Sequence, residues 1–587
     1  MNDFLKDLRQ KMKGRTMEAY IIPSSDPHNS EYLSDYYKSV EFISGFTGSQ
    51  GTVVVTQDKA GLWTDGRYFI QAQKELRGTG IDLYRMGTED PSIIDFLKEE
   101  VSDFGKIGIQ GETCSYKYYM ELKKGIGTRV LITNVDFIDE IWKFRPAKPK
   151  KEIRILSEDV TGKSAADKIL QLQKYMQNSG IDYYFIGSLD DICYLFNIRG
   201  GDIDYNPVVL SYSLITQNSS AIYIDEEKCS DEVLDYFSSQ GVKVRKYDGI
   251  YIDLKEIPGK STLSFDPQKT NMDIYDSVNH NVRFIKETNI TTFMKAIKND
   301  TEIKNMKNAF IKDGIALVKY LHWLETGVPT GNVTEASGAS RLESFRKEQG
   351  GYIEPSFKTI SAYGENAALP HYTPVPGRVS DLKEQGFYLV DSGGQYSNGT
   401  TDITRTIALG SLTEEEKRDY TLVLKAHIAL MKAKFKEGTK GAALDAIARN
   451  PLWKEGVDFN HGTGHGVGFM LSCHEGPQSI SPRNTEIEIE KKMITSNEPG
   501  IYREGKHGIR IENIMLCVES EETEFGRFLE FECISFCPID TKPIIKEMLT
   551  KEEIAWINQY HRDCFEKLAQ GLSGAEAEFL KEVTKSI

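Results

Sequence analysis

The sequence predicts a mixed architecture, with two successive α/β regions followed by a larger α+β domain. Three observations carry this reading. Strand-like and helix-like segments alternate through residues 1–145 and again through 150–295, the pattern of layered α/β structure. Two composition breaks divide a chain of 587 residues, which is more than one ordinary core supports. Beyond the second break, β-branched runs form hairpin-like pairs among helical stretches.

The elements follow in order. "AYIIPSS", "GTVVVTQ" and "AGLWTDG" are short apolar runs bounded by turn residues, hence strands. "DGRYFIQAQKELR" and "DPSIIDFLKEEVSDF" read as helices. "RPAKPKKEIR" (145–154) joins two prolines to a basic run and reads as a linker, giving a first domain over 1–146. The middle region, 147–298, supplies "DYYFIGS", "PVVLSYSLIT" and "SAIYIDE" as strands. It also supplies "AADKILQLQKYMQNSG", a helix ended by Gly180. The shared order of strand, Ser, Asp, helix, Gly and strands hints at two related modules. Near residue 299 an apolar stripe at helical period begins, formed by Ile303, Met306, Phe310, Leu317, Leu321 and Leu324. Asp300 or Thr301 is the expected N-cap. This helix opens a domain over 299–587.

Composition excludes several classes. A net charge of −15 argues against nucleic-acid binding, which needs a basic face. The opening residues hold no apolar core of signal-peptide type, and no window approaches the roughly 18 apolar residues of a membrane span. Eight scattered cysteines without a CxxC pair read as free thiols in a reducing, cytoplasmic location.

The chemistry gathers in the last domain. "FNHGTGHGVGFMLSCHEGP" (459–477) sets His461 and His465 four apart, the spacing of a helical metal pair. Gly462, Gly464, Gly466 and Gly468 oppose a helix, since each costs roughly 1 kcal/mol against Ala. Extended chain or loop is therefore expected. In "GFYLVDSGGQYSNGTTDITRTIAL" (386–409), Asp391 ends one strand and Asp402 begins the next across a Gly- and Asn-rich turn. The two acids either cap the turn or form a carboxylate pair in need of a cation. In "GIRIEN", Arg510 and Glu512 alternate with Ile509 and Ile511, as in a half-buried strand. Glu498 precedes Pro499 and sits in extended or turn geometry. Four carboxylates and one imidazole form an oxygen-rich set suited to hard divalent cations, and two such ions would balance the four charges. Spacing alone does not bring the five together.

"VDSGGQYSNGTTDITRT", "HGTGHGVG", "CHEGP", "NEPGIY" and "GIRIEN", in this order, resemble the blocks of the pita-bread metallopeptidases. The resemblance is strongest to the aminopeptidase P (Xaa-Pro aminopeptidase) family in its long, three-domain form. "SSDPHNSEYLSDYYKSVEFISGFTGSQGT", "WTDGRYFIQA" and "LDDICYLFNIRGGDIDYNPV" extend it to the N-terminal and middle regions. The resemblance implies two creatinase-type α/β domains followed by a pita-bread catalytic domain. It implies Asp391, Asp402, His465, Glu498 and Glu512 as ligands of two divalent ions, Mn²⁺ foremost, with Zn²⁺, Co²⁺ and Fe²⁺ suiting similar donors. Asp402 and Glu512 would bridge the ions, with a hydroxide between them as nucleophile. His371, His461 and His474 would bind substrate and stabilise the reacting carbonyl, and Glu498 would also shuttle a proton. Arg510 would orient Asp402 or its neighbours. Arg67 either contacts the distal part of the peptide or is a plain salt-bridged residue. A homodimer acting on peptides with proline in second position is the implied assembly and substrate.

Three other readings use the same fold. A prolidase would cut only Xaa-Pro dipeptides, and the two additional domains favour the aminopeptidase. A creatinase-like enzyme works without metals, whereas all five ligand positions are filled here. A non-catalytic binding protein would have lost ligands.

Overall fold

The computed structural model describes residues 3–374, 377 and 379–587. The chain forms two compact units, one of residues 1–158 and 163–291, the other of 159–162 and 292–587.

The first unit holds two six-stranded sheets. The first comprises β1 (Met17–Pro23), β2 (Thr52–Thr56), β3 (Ala60–Thr64), β4 (Asp82–Arg85), β5 (Lys106–Ile109) and β6 (Val130–Ile132), ordered β4-β3-β2-β1-β5-β6. The second comprises β7 (Tyr183–Ile186), β8 (Ser211–Thr216), β9 (Ser220–Ile224), β10 (Val242–Lys246), β11 (Thr262–Phe265) and β12 (Arg283–Lys286), ordered β10-β9-β8-β7-β11-β12. The pairings match step for step. In each sheet the first strand pairs antiparallel with its hairpin neighbour and parallel with the strand on its other side. The two modules hinted at by the sequence thus share one topology. The helix Ala165–Ser179 ends as expected, with Gly180 in the left-handed region at φ 65°. One apolar core, with Ile109 and Trp63 from the first sheet and Phe185 and Phe265 from the second, runs through the unit.

The second unit opens with the helix Asp300–Gly327. Its cap is Asn299, one residue before the positions expected. The Asn299 side chain accepts from the amides of Thr301 and Glu302, and Glu302 reaches back to the Asn299 amide, closing a capping box. The helix Glu335–Lys347 packs beside it. The strands here are β13 (Tyr352–Pro355), β14 (Ile360–Tyr363), β15 (Phe387–Ser392), β16 (Gly394–Tyr396), β17 (Gly399–Thr400) and β18 (Ile403–Ala408). Next come β19 (Lys434–Lys436), β20 (Gly464–Gly466), β21 (Glu475–Ile480) and β22 (Ile494–Asn497). The last four are β23 (Gly500–Arg503), β24 (His507–Arg510), β25 (Asn513–Thr523) and β26 (Gly526–Cys533). A six-stranded sheet runs β19-β26-β25-β22-β20-β21, and β14-β15-β18 form a smaller one.

The segment read as a simple turn between β15 and β18 does more. It forms β16 and β17, and the order β13-β16-β17 makes a separate sheet. Gly393 permits the exchange of sheets, because a Cβ there would stand 1.8 Å from the Thr401 carbonyl oxygen. No described helix is long and apolar enough to cross a membrane.

A buried ion pair fixes the end of β15. Arg346 donates from Nε to Asp313 Oδ1 at 2.8 Å and from Nη2 to Asp313 Oδ2 at 3.1 Å. Nη2 also donates to the Ser392 carbonyl at 3.2 Å, and the Tyr396 hydroxyl donates to Asp313 at 2.9 Å. Removing one partner strands a buried charge. Arg346→Met should therefore lower unfolding stability by about 3–5 kcal/mol. The double change with Asp313→Leu should recover part of that loss, and denaturant unfolding of the three variants measures both effects.

Candidate metal centre

Antiparallel pairing of β15 with β18 sets Asp391 opposite Thr404 and Ser392 opposite Ile403, so Asp402 sits one residue before β18. His465 lies in β20, whose Gly466 pairs with Thr495 of β22, and Glu498 follows the end of β22. Glu512 occupies the step between β24 and β25. His465 is thus on extended chain, as its glycines required. Gly464 is needed for a second reason. A Cβ there would stand 1.9 Å from the Ser496 carbonyl oxygen, so β20 and β22 approach only across a glycine.

The five expected ligands split into a tight trio and two neighbours. Asp402, His465 and Glu512 bring their ligating atoms within 4.8 Å of one another. His465 Nε2 lies 3.4 Å from Asp402 Oδ2 and 3.5 Å from Glu498 Oε1. Its Nδ1 faces the Gly466 carbonyl at 2.9 Å, which leaves Nε2 toward the acids. Asp391 is tied to the trio through Arg510. Arg510 donates to Asp391 Oδ2 from Nη2 at 2.5 Å and to Thr404 Oγ1 from Nε at 3.3 Å. Thr404 Oγ1 in turn donates to Glu512 Oε2 at 2.8 Å. Arg510 therefore orients Asp391, a neighbour of Asp402, rather than Asp402 itself. Nor is "GIRIEN" a half-buried strand: Ile509, Arg510, Ile511 and Glu512 are all buried, because the segment threads between packed elements.

Four carboxylates in one place perturb one another. Burial raises Asp391 and raises Glu512 well above the usual range, and the neighbouring acids push both the same way; Arg510 opposes this at Asp391. Burial also carries Glu498 to about 7, against the pull of His465 and Arg510. Asp402 alone is lowered: burial would raise it, but the hydrogen bond and charge of His465 outweigh that. Asp391 Oδ1 and Glu512 Oε1 are buried without a hydrogen-bond partner. Buried carboxylate oxygens with no donor fit a cation set. The donors, oxygen with one imidazole, suit hard divalent ions.

Sequence reasoning left out several contacts. Tyr502 accepts from Arg510 Nη1 at 2.7 Å and stands 2.8 Å from His461 Nε2. His461 Nδ1 faces the Gly462 carbonyl at 2.7 Å, so Nδ1 carries a proton. In the neutral ring, Nε2 then accepts the Tyr502 hydroxyl, completing a chain from His461 through Tyr502 and Arg510 to Asp391. Arg405 donates to the Glu512 carbonyl from Nη1 at 2.6 Å. "NEPGIY" already contained Tyr502 and "TDITRT" contained Arg405, but neither block reveals its partners, which lie 8 and 41 positions from Tyr502 and 107 from Arg405. His474 stands edge-on to His465, ring centroids 4.5 Å apart. His371 is half-buried, next to Pro370, whose carbonyl accepts from Arg510 Nη2 at 3.3 Å. Arg67, in the first unit, is held bidentate by Asp65 at 2.8 and 2.7 Å.

Two outcomes test this geometry. Glu498 near 7 and an ordinary value of 4.5 mean that the folded site holds a proton the unfolded chain releases. That contribution to stability is present below about 4.5 and is lost as pH rises through about 7. A divalent cation replaces the proton, so the rise in Tm on adding Mn²⁺ should be larger at about pH 8 than at about pH 5. Equal rises would contradict it. Gly464→Ala should drive β20 off β22, lowering both Tm and the bound-metal stoichiometry measured by elemental analysis.

Comparison with known proteins agrees. Residues 304–519 match the model of metallopeptidase family M24, and 527–587 match the C-terminal region of that peptidase. The creatinase/prolidase N-terminal domain matches twice, over 5–146 and 144–302. Aminopeptidase P2 of Arabidopsis thaliana is 39% identical over 96% of this chain and 85% of its own. The crystal structure of X-prolyl aminopeptidase from Caenorhabditis elegans, described as a cytosolic enzyme with a di-nuclear active site, is 35% identical. It covers 100% of this chain and 99% of its own, with a TM-score of 0.95. Xaa-Pro dipeptidase from Bacillus anthracis, 27% identical, covers 64% of this chain and 99% of its own, at a TM-score of 0.52. The chain belongs to the aminopeptidase P (Xaa-Pro aminopeptidase) family of M24 metallopeptidases, with two creatinase-type modules preceding a pita-bread domain.

Proposed function

We propose that this protein is a metal-dependent aminopeptidase that releases the first residue of peptides carrying proline in second position. The observation that carries the reading is the gathering of Asp402, His465 and Glu512, with Glu498 and Asp391 beside them and buried oxygens of Asp391 and Glu512 that no protein donor satisfies. These five would hold two divalent cations; the oxygen-rich donors favour Mn²⁺. Such a pair supplies Lewis-acid polarisation and an activated water.

The chain's own residues do the rest. Arg510 keeps the Asp391 carboxylate in one orientation and lends its charge to the cluster. Glu498, whose Oε1 stands 3.5 Å from His465 Nε2, takes the proton of the attacking water and passes it to the departing proline nitrogen. An Xaa-Pro bond has no N–H to recognise, so selectivity falls to the fit of the pyrrolidine ring. One histidine, His371 or His474, donates to the oxyanion as it develops. His461 holds the substrate side of the chain that runs through Tyr502 to Arg510. Arg67 is retained as a candidate contact for the distal part of the peptide. A cytoplasmic homodimer is the expected form, and eight free cysteines suit a reducing compartment.

Dialysis against a chelator should abolish release of arginine from Arg-Pro-Pro, and Mn²⁺ should restore it. Activity that survives chelation would overturn the metal reading. Cleavage of Arg-Pro but not of Arg-Pro-Pro would assign a prolidase instead.

A further inference from the structure

One group beside the centre has no part in the proposed chemistry. The Cys473 thiol is fully buried and donates to Asp402 Oδ2 at 3.3 Å. His474 follows it in the chain. Asp402, Cys473 and His474 each present a ligating atom, all within 4.8 Å of one another. The donors are one oxygen, one sulfur and one imidazole nitrogen, a set that hard ions disfavour and thiophilic divalent ions take. A tetrahedral Zn²⁺ with ordinary bond lengths holds a sulfur and a carboxylate oxygen roughly 3.5 Å apart. Asp402 Oδ2 and Cys473 Sγ already stand at nearly that separation. A half-buried His474 gives the trio a side that is not closed off.

We propose that Asp402, Cys473 and His474 form a second cation site, selective for thiophilic divalent ions such as Zn²⁺ and overlapping the hard-ion centre through Asp402. The same Oδ2 faces His465 Nε2 at 3.4 Å, so Asp402 cannot serve both sites fully. When a thiophilic ion binds, the thiol proton leaves to solvent, the thiolate coordinates, and Asp402 is drawn from the His465–Glu512 set. His474 is removed from the substrate at the same time. The protein would thus carry a built-in point of inhibition by Zn²⁺ or Cd²⁺, set by a single cysteine.

The site extends beyond the proposed function and is tested without substrate. Metal-free full-length protein is titrated with Cd²⁺, following the ultraviolet thiolate-to-cadmium charge-transfer band. The wild type should develop the band, and Cys473→Val should not. Excess Mn²⁺ should raise the Cd²⁺ midpoint of the wild type at least about tenfold, by competition for Asp402. Cys473→Val should keep Mn²⁺-dependent cleavage while resisting Cd²⁺. His474→Gln, which retains the thiol, should shift the midpoint at least about tenfold and decides the question if the valine variant fails to fold. A wild type without the band, or a band that persists in Cys473→Val, overturns the site, as does an unshifted midpoint in His474→Gln. Loss of peptide cleavage alone would count against the proposed function and leave this result standing.

Discussion

Mutual repulsion of four carboxylates in one buried place is the constraint on which the second unit depends. Asp391, Asp402 and Glu512 are nearly inaccessible to water, and Glu498 is half-buried. Such a cluster holds only if donors and cations are supplied around it. Arg510 serves Asp391, Thr404 serves Glu512, and His465 serves Asp402. What remains unsatisfied, Asp391 Oδ1 and Glu512 Oε1, is what a metal pair would complete.

The segments bearing these groups are backed by buried ion pairs of their own. Arg346 and Asp313 hold the Ser392 carbonyl, next to Asp391. Arg449 is paired with Asp445 at 2.6 Å and donates to the His461 carbonyl, while Asp445 accepts from Thr463. Lys295 and Lys298 close on Glu475, next to His474, at 3.0 and 2.5 Å. Buried pairs of this kind add little net stability, because desolvation offsets attraction. Their value here is directional. Each holds the chain at or within two residues of a site group, and a loop so pinned cannot relax away from its repelling neighbours.

The two modules of the first unit show how topology repeats while chemistry does not. Both sheets place a hairpin on one side of their first strand and parallel strands on the other. Their facing surfaces share one apolar core. Polar exceptions are satisfied within the unit. His28, for example, bonds the Gly187 carbonyl and the Tyr247 hydroxyl at 2.8 Å each, and burial lowers its pKa to about 4, so it stays neutral.

Local chemistry was legible in the sequence. Period-2 and period-3.6 patterns found β1, β2, β3 and the helix Asp300–Gly327, since a strand or helix face is set by neighbours a few residues apart. Alternating glycines ruled out a helical pair at His461 and His465 for the same reason. The resemblance gave the candidate ligands, because the order of short blocks is itself a property of the chain. Tertiary packing alone decided who meets whom. Arg510 reaches Asp391 across 119 positions and Thr404 reaches Glu512 across 108. The glycine-rich turn became two strands of another sheet, and Cys473 came to rest on Asp402. Spacing fixes direction only within one element, whereas these contacts depend on how separate strands stack, which no local pattern records.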